Sequence, residues 1–225
     1  MTVVGGAQPG GRFITFEGGE GAGKSTQVRR LVASLRAAGR IVTATREPGG
    51  APSAEEIRSL LVSGAPDRWS PLAEALLLNA ARAEHLDRLI RPALAEGHWV
   101  VSDRFADSTT AYQGYAQRLG TGVTSALEAL VVGQTRPDLT FILDVPAGHG
   151  LARAAAREVR DAAGETRYER FGIPFHETLR QAFLEIAARE PERCAVIDAT
   201  RSEAEVAADI LSTLQDRLGV PADGA

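Results

Sequence analysis

The chain contains a single lysine, Lys24, and it closes the run Gly18-Gly19-Glu20-Gly21-Ala22-Gly23-Lys24-Ser25. Every other strongly basic side chain is arginine. Lysine is therefore kept for the one place where a compact ammonium must fit beneath a turn of backbone. The run fits Gly-x-x-x-x-Gly-Lys-Ser/Thr, the phosphate-binding loop. Its glycines let backbone N–H groups converge on phosphate oxygens, and the helix that follows offers its positive end. In that setting Gly18 through Thr26 cradle the phosphates of ATP, Lys24 reaches the β- and γ-phosphates, and Ser25 holds Mg²⁺. The flanks agree. Arg12 to Glu17 is β-branched and aromatic, so it reads as a strand. After the loop, Val28, Leu31, Val32 and Leu35 recur at helical spacing, with Gly39 as a stop.

With 225 residues the chain suffices for one good core. We read a single domain over 12–218, with flexible tails at 1–11 and 219–225. Short apolar runs at 12–17, 41–45, 98–102, 139–144 and 195–198 alternate with helical patterns near 24–38, 53–62, 71–95, 124–132, 147–160, 174–189 and 203–217. Pro92 is expected to kink the third helix. This alternation predicts a three-layer α/β/α fold with a five-stranded parallel sheet. A net charge of −4 gives no basic face for nucleic acid or an anionic membrane. No apolar run reaches about 18 residues, as a spanning helix requires. The Gly/Pro-rich start has no hydrophobic stretch resembling a signal peptide, so a cytoplasmic enzyme is the default. Cys194 lies in the apolar run Cys194-Ala195-Val196-Ile197 and reads as a core thiol.

Ligands in parallel sheets bind beyond the carboxyl ends of the strands, which focuses attention on the residues after each apolar run. With no second lysine, a guanine-reading Asn/Thr-Lys-x-Asp segment is absent. Asp103 and Asp144 each end a strand alone, unlike the paired acids of motor and transporter ATPases. The segment Asp103 to Gln113 is denser. Arg104 can grip a phosphate bidentately, and Thr109 and Gln113 can both donate and accept at a base edge. Tyr112 can wall off a sugar, and Ser108 adds a second hydroxyl. Asp103 can support Mg²⁺ through water.

Four motifs in order, Phe16 to Thr26, Thr45-Arg46-Glu47-Pro48-Gly49-Gly50, Ala80-Ala81-Arg82-Ala83-Glu84-His85 and Asp103-Arg104-Phe105 through Ala111-Tyr112-Gln113-Gly114, make the chain resemble the bacterial thymidylate kinases. Tyr168-Glu169-Arg170 is a fifth, weaker match. The resemblance implies transfer of a phosphoryl group from ATP to dTMP, with Mg²⁺, by a cytoplasmic homodimer. It places Arg58, Arg82 and Arg104 around the monophosphate and base, with Arg82 facing thymine. Tyr112 would crowd C2′, and Glu20 would lie near the 3′-OH and the Mg²⁺ water shell. Glu47 and Pro48 would shape the acceptor pocket, and Tyr168 and Glu169 would close over it.

The resemblance also implies an arginine-bearing lid at about 158–172. Some members carry the catalytic arginine inside the phosphate loop, where this chain has Gly21. The charge must then come from the lid stretch, where Arg157 is the first choice and Arg153 and Arg160 are rivals. Arg153 is also expected against ATP. Arg167 stands in a Thr166-Arg167 pair where Asp-Arg is usual. Leu78 replaces the aromatic residue that stacks on thymine. These readings leave open a kinase for another deoxynucleotide or a deoxynucleoside, and a non-catalytic ATP-binding regulatory protein.

Overall fold

The computed structural model describes residues 10–65, 67–160 and 167–219, without the side chains of 157–160. Five strands, β1 (Phe13–Glu17), β2 (Val42–Arg46), β3 (Trp99–Asp103), β4 (Leu139–Asp144) and β5 (Cys194–Asp198), form one sheet. Its order is β2-β3-β1-β4-β5, and every neighbouring pair is parallel. The helices are α1 (Lys24–Ala37), α2 (Pro52–Val62), α3 (Pro71–His85), α4 (Arg91–Ala95), α5 (Ala106–Thr109), α6 (Thr121–Val131), α7 (Ala147–Arg160), α8 (Ile173–Arg189) and α9 (Glu203–Leu218).

The strands read as unbroken apolar runs because both faces are covered. Ile14, Phe16, Val101, Phe141 and Leu143 pack with Leu31 and Leu35 of α1 and Ile210 and Leu214 of α9. One residue out of phase, Phe13 and Val100 pack with Leu86, Ile90 and Phe105. Ile142 packs with Leu179 and Phe183 of α8. The period of two thus sends alternate side chains to opposite layers. Each fully buried Leu, Ile or Phe contributes roughly 1.5–3 kcal/mol. Cys194 is buried, and burial pushes its thiol up to about 12, so it packs as an inert core residue.

The three-layer parallel architecture matches the sequence reading. Three local features differ from it. The 71–95 segment is not one helix kinked at Pro92. Instead α3 ends at His85, a π-helical turn spans Leu86–Ile90, and α4 follows. Arg91 N–H reaches back five residues to the Leu86 carbonyl, and Pro92 has no N–H to continue the α-pattern. The second difference is 106–116, for which no helix was expected. It forms α5 and then a second π-helical turn, Thr110–Ala116. A π-turn widens the helix and turns its side chains. Here the widened turn carries Tyr112 and Gln113. Strands β2 and β3 sit one residue later than expected, so Arg46 and Asp103 are themselves strand ends.

Candidate functional site: two adjoining anion cradles

The first cradle is built by glycine. Gly18, Gly21 and Gly23 have φ of +133°, +66° and +90°, which side chains rarely tolerate. A Cβ on Gly18 would lie 2.5 Å from the Leu143 carbonyl oxygen, and one on Gly21 would lie 1.9 Å from that of Gly150. The loop is therefore wedged against the end of β4 and the first turn of α7. This is the physical reason that position 21 carries no arginine. Among the described residues no side chain caps α1, and no acid stands in its first turn, which leaves its first amides for an anion.

Lys24 Nζ donates to the carbonyls of Gly18 at 3.1 Å and Gly19 at 2.7 Å. Burial, and then the nearby Arg104 charge, pushes its ammonium down to about 8, against the pull of Glu20. Ser25 Oγ donates to Asp103 Oδ2 over 2.5 Å. The β1–β3 register, which pairs Phe16 with Asp103, brings that carboxylate to the loop. One hydroxyl and one carboxylate suit Mg²⁺, which takes a few hard protein oxygens and fills its shell from phosphate and water. Among the described residues no group of three or more Asp, Glu, His or Cys could hold a metal by itself.

The second cradle is a pocket of about 660 Å³, counting the open solvent at its mouth. Eleven of the twelve residues expected around the acceptor line it, namely Glu47, Pro48, Arg58, Leu78, Arg82, Arg104, Ser108, Thr109, Tyr112, Gln113 and Tyr168. Glu20, Val62 and Phe105 join them. Glu169 lies next to Tyr168 in sequence and is not one of the lining residues.

Arg104 joins the two cradles. Its φ of +71° is unusual for a side-chain-bearing residue. Nη1 donates to the Gly18 carbonyl and Ser108 Oγ, each at 3.1 Å, and Nη2 donates to Glu20 Oε1 at 3.0 Å. The guanidinium also lies over the Tyr112 ring, 5.1 Å from its centroid. The turn that holds it is anchored from below. Glu17, at the end of β1, accepts from Phe105 N–H at 2.7 Å, Ser108 N–H at 3.2 Å and Ser108 Oγ at 2.5 Å. Burial and the Asp107 charge push the Glu17 carboxyl up to about 8, against the Ser108 hydroxyl, Arg104 and the Phe105 N–H. Burial pushes Glu20 the same way, but Arg104, Lys24 and a 2.6 Å bond from the Tyr112 hydroxyl outweigh it and bring its carboxyl down to about 2.

Arg82 is only 2% exposed. Nε donates to Glu47 Oε2 at 2.8 Å, Nη1 to Asn79 Oδ1 at 3.2 Å, and Nη2 to the Phe105 carbonyl at 3.2 Å and Thr109 Oγ1 at 3.0 Å. Since Thr109 accepts from arginine, its own proton is left to give. Glu47 also faces His85 Nδ1 at 3.1 Å, and His85 Nε2 meets Thr45 Oγ1 at 2.7 Å. Gly50 must be glycine beside this pair: φ is +89°, and a Cβ would lie 2.4 Å from His85 Nε2. Arg58 donates to the Pro48 carbonyl, fixing the pocket rim.

Arg153 donates to the carbonyls of Ala199 at 2.8 Å and Thr200 at 3.3 Å, in the loop after β5. The side chains of Arg157 and Arg160, and residues 161–166, lie outside the described residues. Arg167 turns to α2 and α3. It is buried, pairs with Glu74, and donates to the carbonyls of Leu61 and Ala65. Sequence reasoning missed Glu17, Glu74 and His85. For the two acids the signal was present: each is an isolated carboxylate in an otherwise apolar stretch.

A glycine phosphate cradle beside an arginine-lined pocket, both at the carboxyl ends of a parallel sheet, defines the class as a P-loop nucleoside monophosphate kinase. The thymidylate kinase family model matches residues 16–210. The chain is 56% identical to "Thymidylate kinase" of Caulobacter vibrioides over 210 residues, covering 93% of this chain and 99% of that protein. It is 55% identical to the protein of that name from Dinoroseobacter shibae over 207 residues, covering 92% and 97%. A crystal structure of thymidylate kinase from Ehrlichia chaffeensis superposes with a TM-score of 0.72 at 33% identity, covering 92% of this chain and all of that one. The chain belongs to the thymidylate kinase family.

Proposed function

We propose that the protein transfers the γ-phosphoryl group of ATP to dTMP, giving ADP and dTDP on the route to dTTP. The observation that carries this is Arg104, whose guanidinium spans from the Gly18 carbonyl of the phosphate loop to the floor of the adjoining pocket. Two phosphates held on either side of it would lie one transfer step apart.

The acceptor is itself a phosphate with a second pKa of about 6, so at pH 7 it is mostly dianionic and needs no general base. The obstacle is repulsion between two anions. Lys24 leaves its loop carbonyls for the donor phosphates, Arg104 clamps the acceptor, and an arginine of the lid stretch, Arg157 by our assignment, adds charge at the transferring group. Mg²⁺, held at Ser25 and Asp103, would neutralise charge on the donor phosphates. Arg153, on α7 beside the loop after β5, is assigned to ATP.

On the base, Gln113 Oε1 accepts, while Thr109 and Arg82 donate. That pattern suits thymine, whose N3–H is flanked by carbonyls, and opposes cytosine. Glu20, tied to Tyr112, takes the 3′-OH, and the Tyr112 ring, which lines the pocket, would crowd C2′.

We assign a cytoplasmic homodimer. Exposed Leu72 and Leu76 on α3, with Val123 and Leu130 on α6, make an apolar surface on two helices that pack together. None of the helices among the described residues is long and apolar enough to cross a membrane. Coupled ADP release across dTMP, dUMP, dGMP, dCMP and thymidine tests the reading. The highest kcat/KM is expected with dTMP, and ATP binding without acceptor-dependent turnover would refute it.

A further inference from the structure

Glu74 sits in the first turn of α3, fully buried, and takes four donors from three directions. Its Oε1 accepts from Gln113 Nε2 at 2.6 Å, Gln117 Nε2 at 3.0 Å and the Tyr168 hydroxyl at 2.9 Å. Its Oε2 pairs with Arg167 Nη2. A carboxylate can only accept, so both glutamines must turn their amide nitrogens toward it. Their carbonyl ends then point away, and Gln113 Oε1 is buried without a hydrogen-bond partner among the described residues. An unmet buried acceptor is costly and asks for a donor. Gln113 is also a lining residue of the acceptor pocket.

We infer that Glu74 is a specificity-positioning residue: by holding Gln113 Nε2 it locks the amide with its acceptor toward the base, so the pocket selects a base whose ring edge donates a proton. This deepens the proposed function and rests on it. Thymine and uracil present N3–H, whereas cytosine presents a bare N3 that needs a donor. A free amide would turn to suit either base at little cost. The same carboxylate holds Tyr168 and Arg167, so the lock sits where the end of the lid stretch docks on α2 and α3.

Glu74→Gln reverses the lock by a defined route. Arg167 keeps the new amide's oxygen, its nitrogen then faces Gln113, and Gln113 turns its own nitrogen to the pocket. We expect the ratio of kcat/KM for dTMP to that for dCMP to fall at least tenfold, with dCMP turnover rising in absolute terms. Arg167→Met leaves the carboxylate in place and should keep the wild-type ratio. If Glu74→Gln does not fold, Glu74→Gln with Arg167→Met leaves no buried charge unpaired, and the ratio should still fall because the amide turns freely. The lock is overturned if whichever Glu74→Gln variant folds keeps the wild-type ratio, or if Arg167→Met alone lowers it as far. Wild-type protein is assayed first: failure to phosphorylate dTMP would refute the proposed function and the lock with it, whereas a dTMP-active wild type isolates the lock.

Discussion

Arg82 Nε lies 2.8 Å from Glu47 Oε2, and both side chains are almost sealed from water, at 2% and 4% exposure. The pair joins α3 to the loop after β2, and His85 and Thr45 extend it. Removing one partner strands a charge in a dry site. Glu47→Leu should therefore cost about 3–5 kcal/mol of unfolding free energy, read by urea denaturation. A loss below about 1 kcal/mol, the value of an exposed pair, would show that the pair is not sealed as described.

Lys24 gives a pH signature. Its ammonium is lowered to about 8 by burial and Arg104, and only the charged form attracts phosphate. ATP affinity should be flat below pH 8 and fall above it, by up to tenfold per unit, as free protein must take up a proton to bind. Calorimetry at pH 8.5 in two buffers of different ionisation heat should detect that uptake. Lys24→Met should lose the pH dependence and most turnover. A constant wild-type Kd from pH 7 to 9.5 would remove Lys24 from the phosphate site.

Glu20 works in the opposite direction. Its carboxyl is brought from 4.5 down to about 2 by Arg104, Lys24 and Tyr112 against the cost of burial. A depressed carboxyl adds stability above its unfolded pKa, so its share is complete above about pH 4.5 and vanishes as pH falls toward 2. That share is of order 3 kcal/mol. Wild type should lose more stability than Glu20→Gln between pH 5 and 2.5. Parallel losses would mean that Glu20 is not held by those charges.

At Gly21 the same packing predicts intolerance. Placing a side chain at φ +66° costs roughly 1–2 kcal/mol, and the Gly150 carbonyl leaves a Cβ only 1.9 Å. Gly21→Arg should weaken ATP binding and lower the melting temperature. Faster turnover would show that the loop can take the arginine that we assign to the lid stretch.

The legibility of the sequence follows from the range of the forces involved. The phosphate loop and the parallel sheet were readable because glycine spacing and apolar runs act over a few residues. Arg104, Thr109, Tyr112 and Gln113 were readable as a dense polar stretch after one strand, but Glu47 and Arg82 were reachable only through motif resemblance, since Arg82 meets Glu47 across 35 positions and Thr109 across 27. Both π-turns were missed because no local propensity announces an i to i+5 pattern. Glu74 looked like one acid on an apolar helix. Its partners Gln113 and Arg167 lie 39 and 93 residues away.

Leu78 lines the pocket where an aromatic ring would stack on the base, and it is only half-buried, so there is space to enlarge it. A ring facing the thymine plane adds roughly 0.5–1.5 kcal/mol beyond its area. That corresponds to about 2–13-fold in affinity, since 1.4 kcal/mol is a factor of ten. Leu78→Phe should lower the KM for dTMP by that range with little change in kcat, because the contact is made equally before and during transfer. The gain should extend to dUMP, which offers the same ring face without the methyl group. A KM that rises for both would mean that the larger ring collides with Arg82 or Phe105 rather than covering the base. It would also place leucine here as a fitted residue instead of a lost stacking partner.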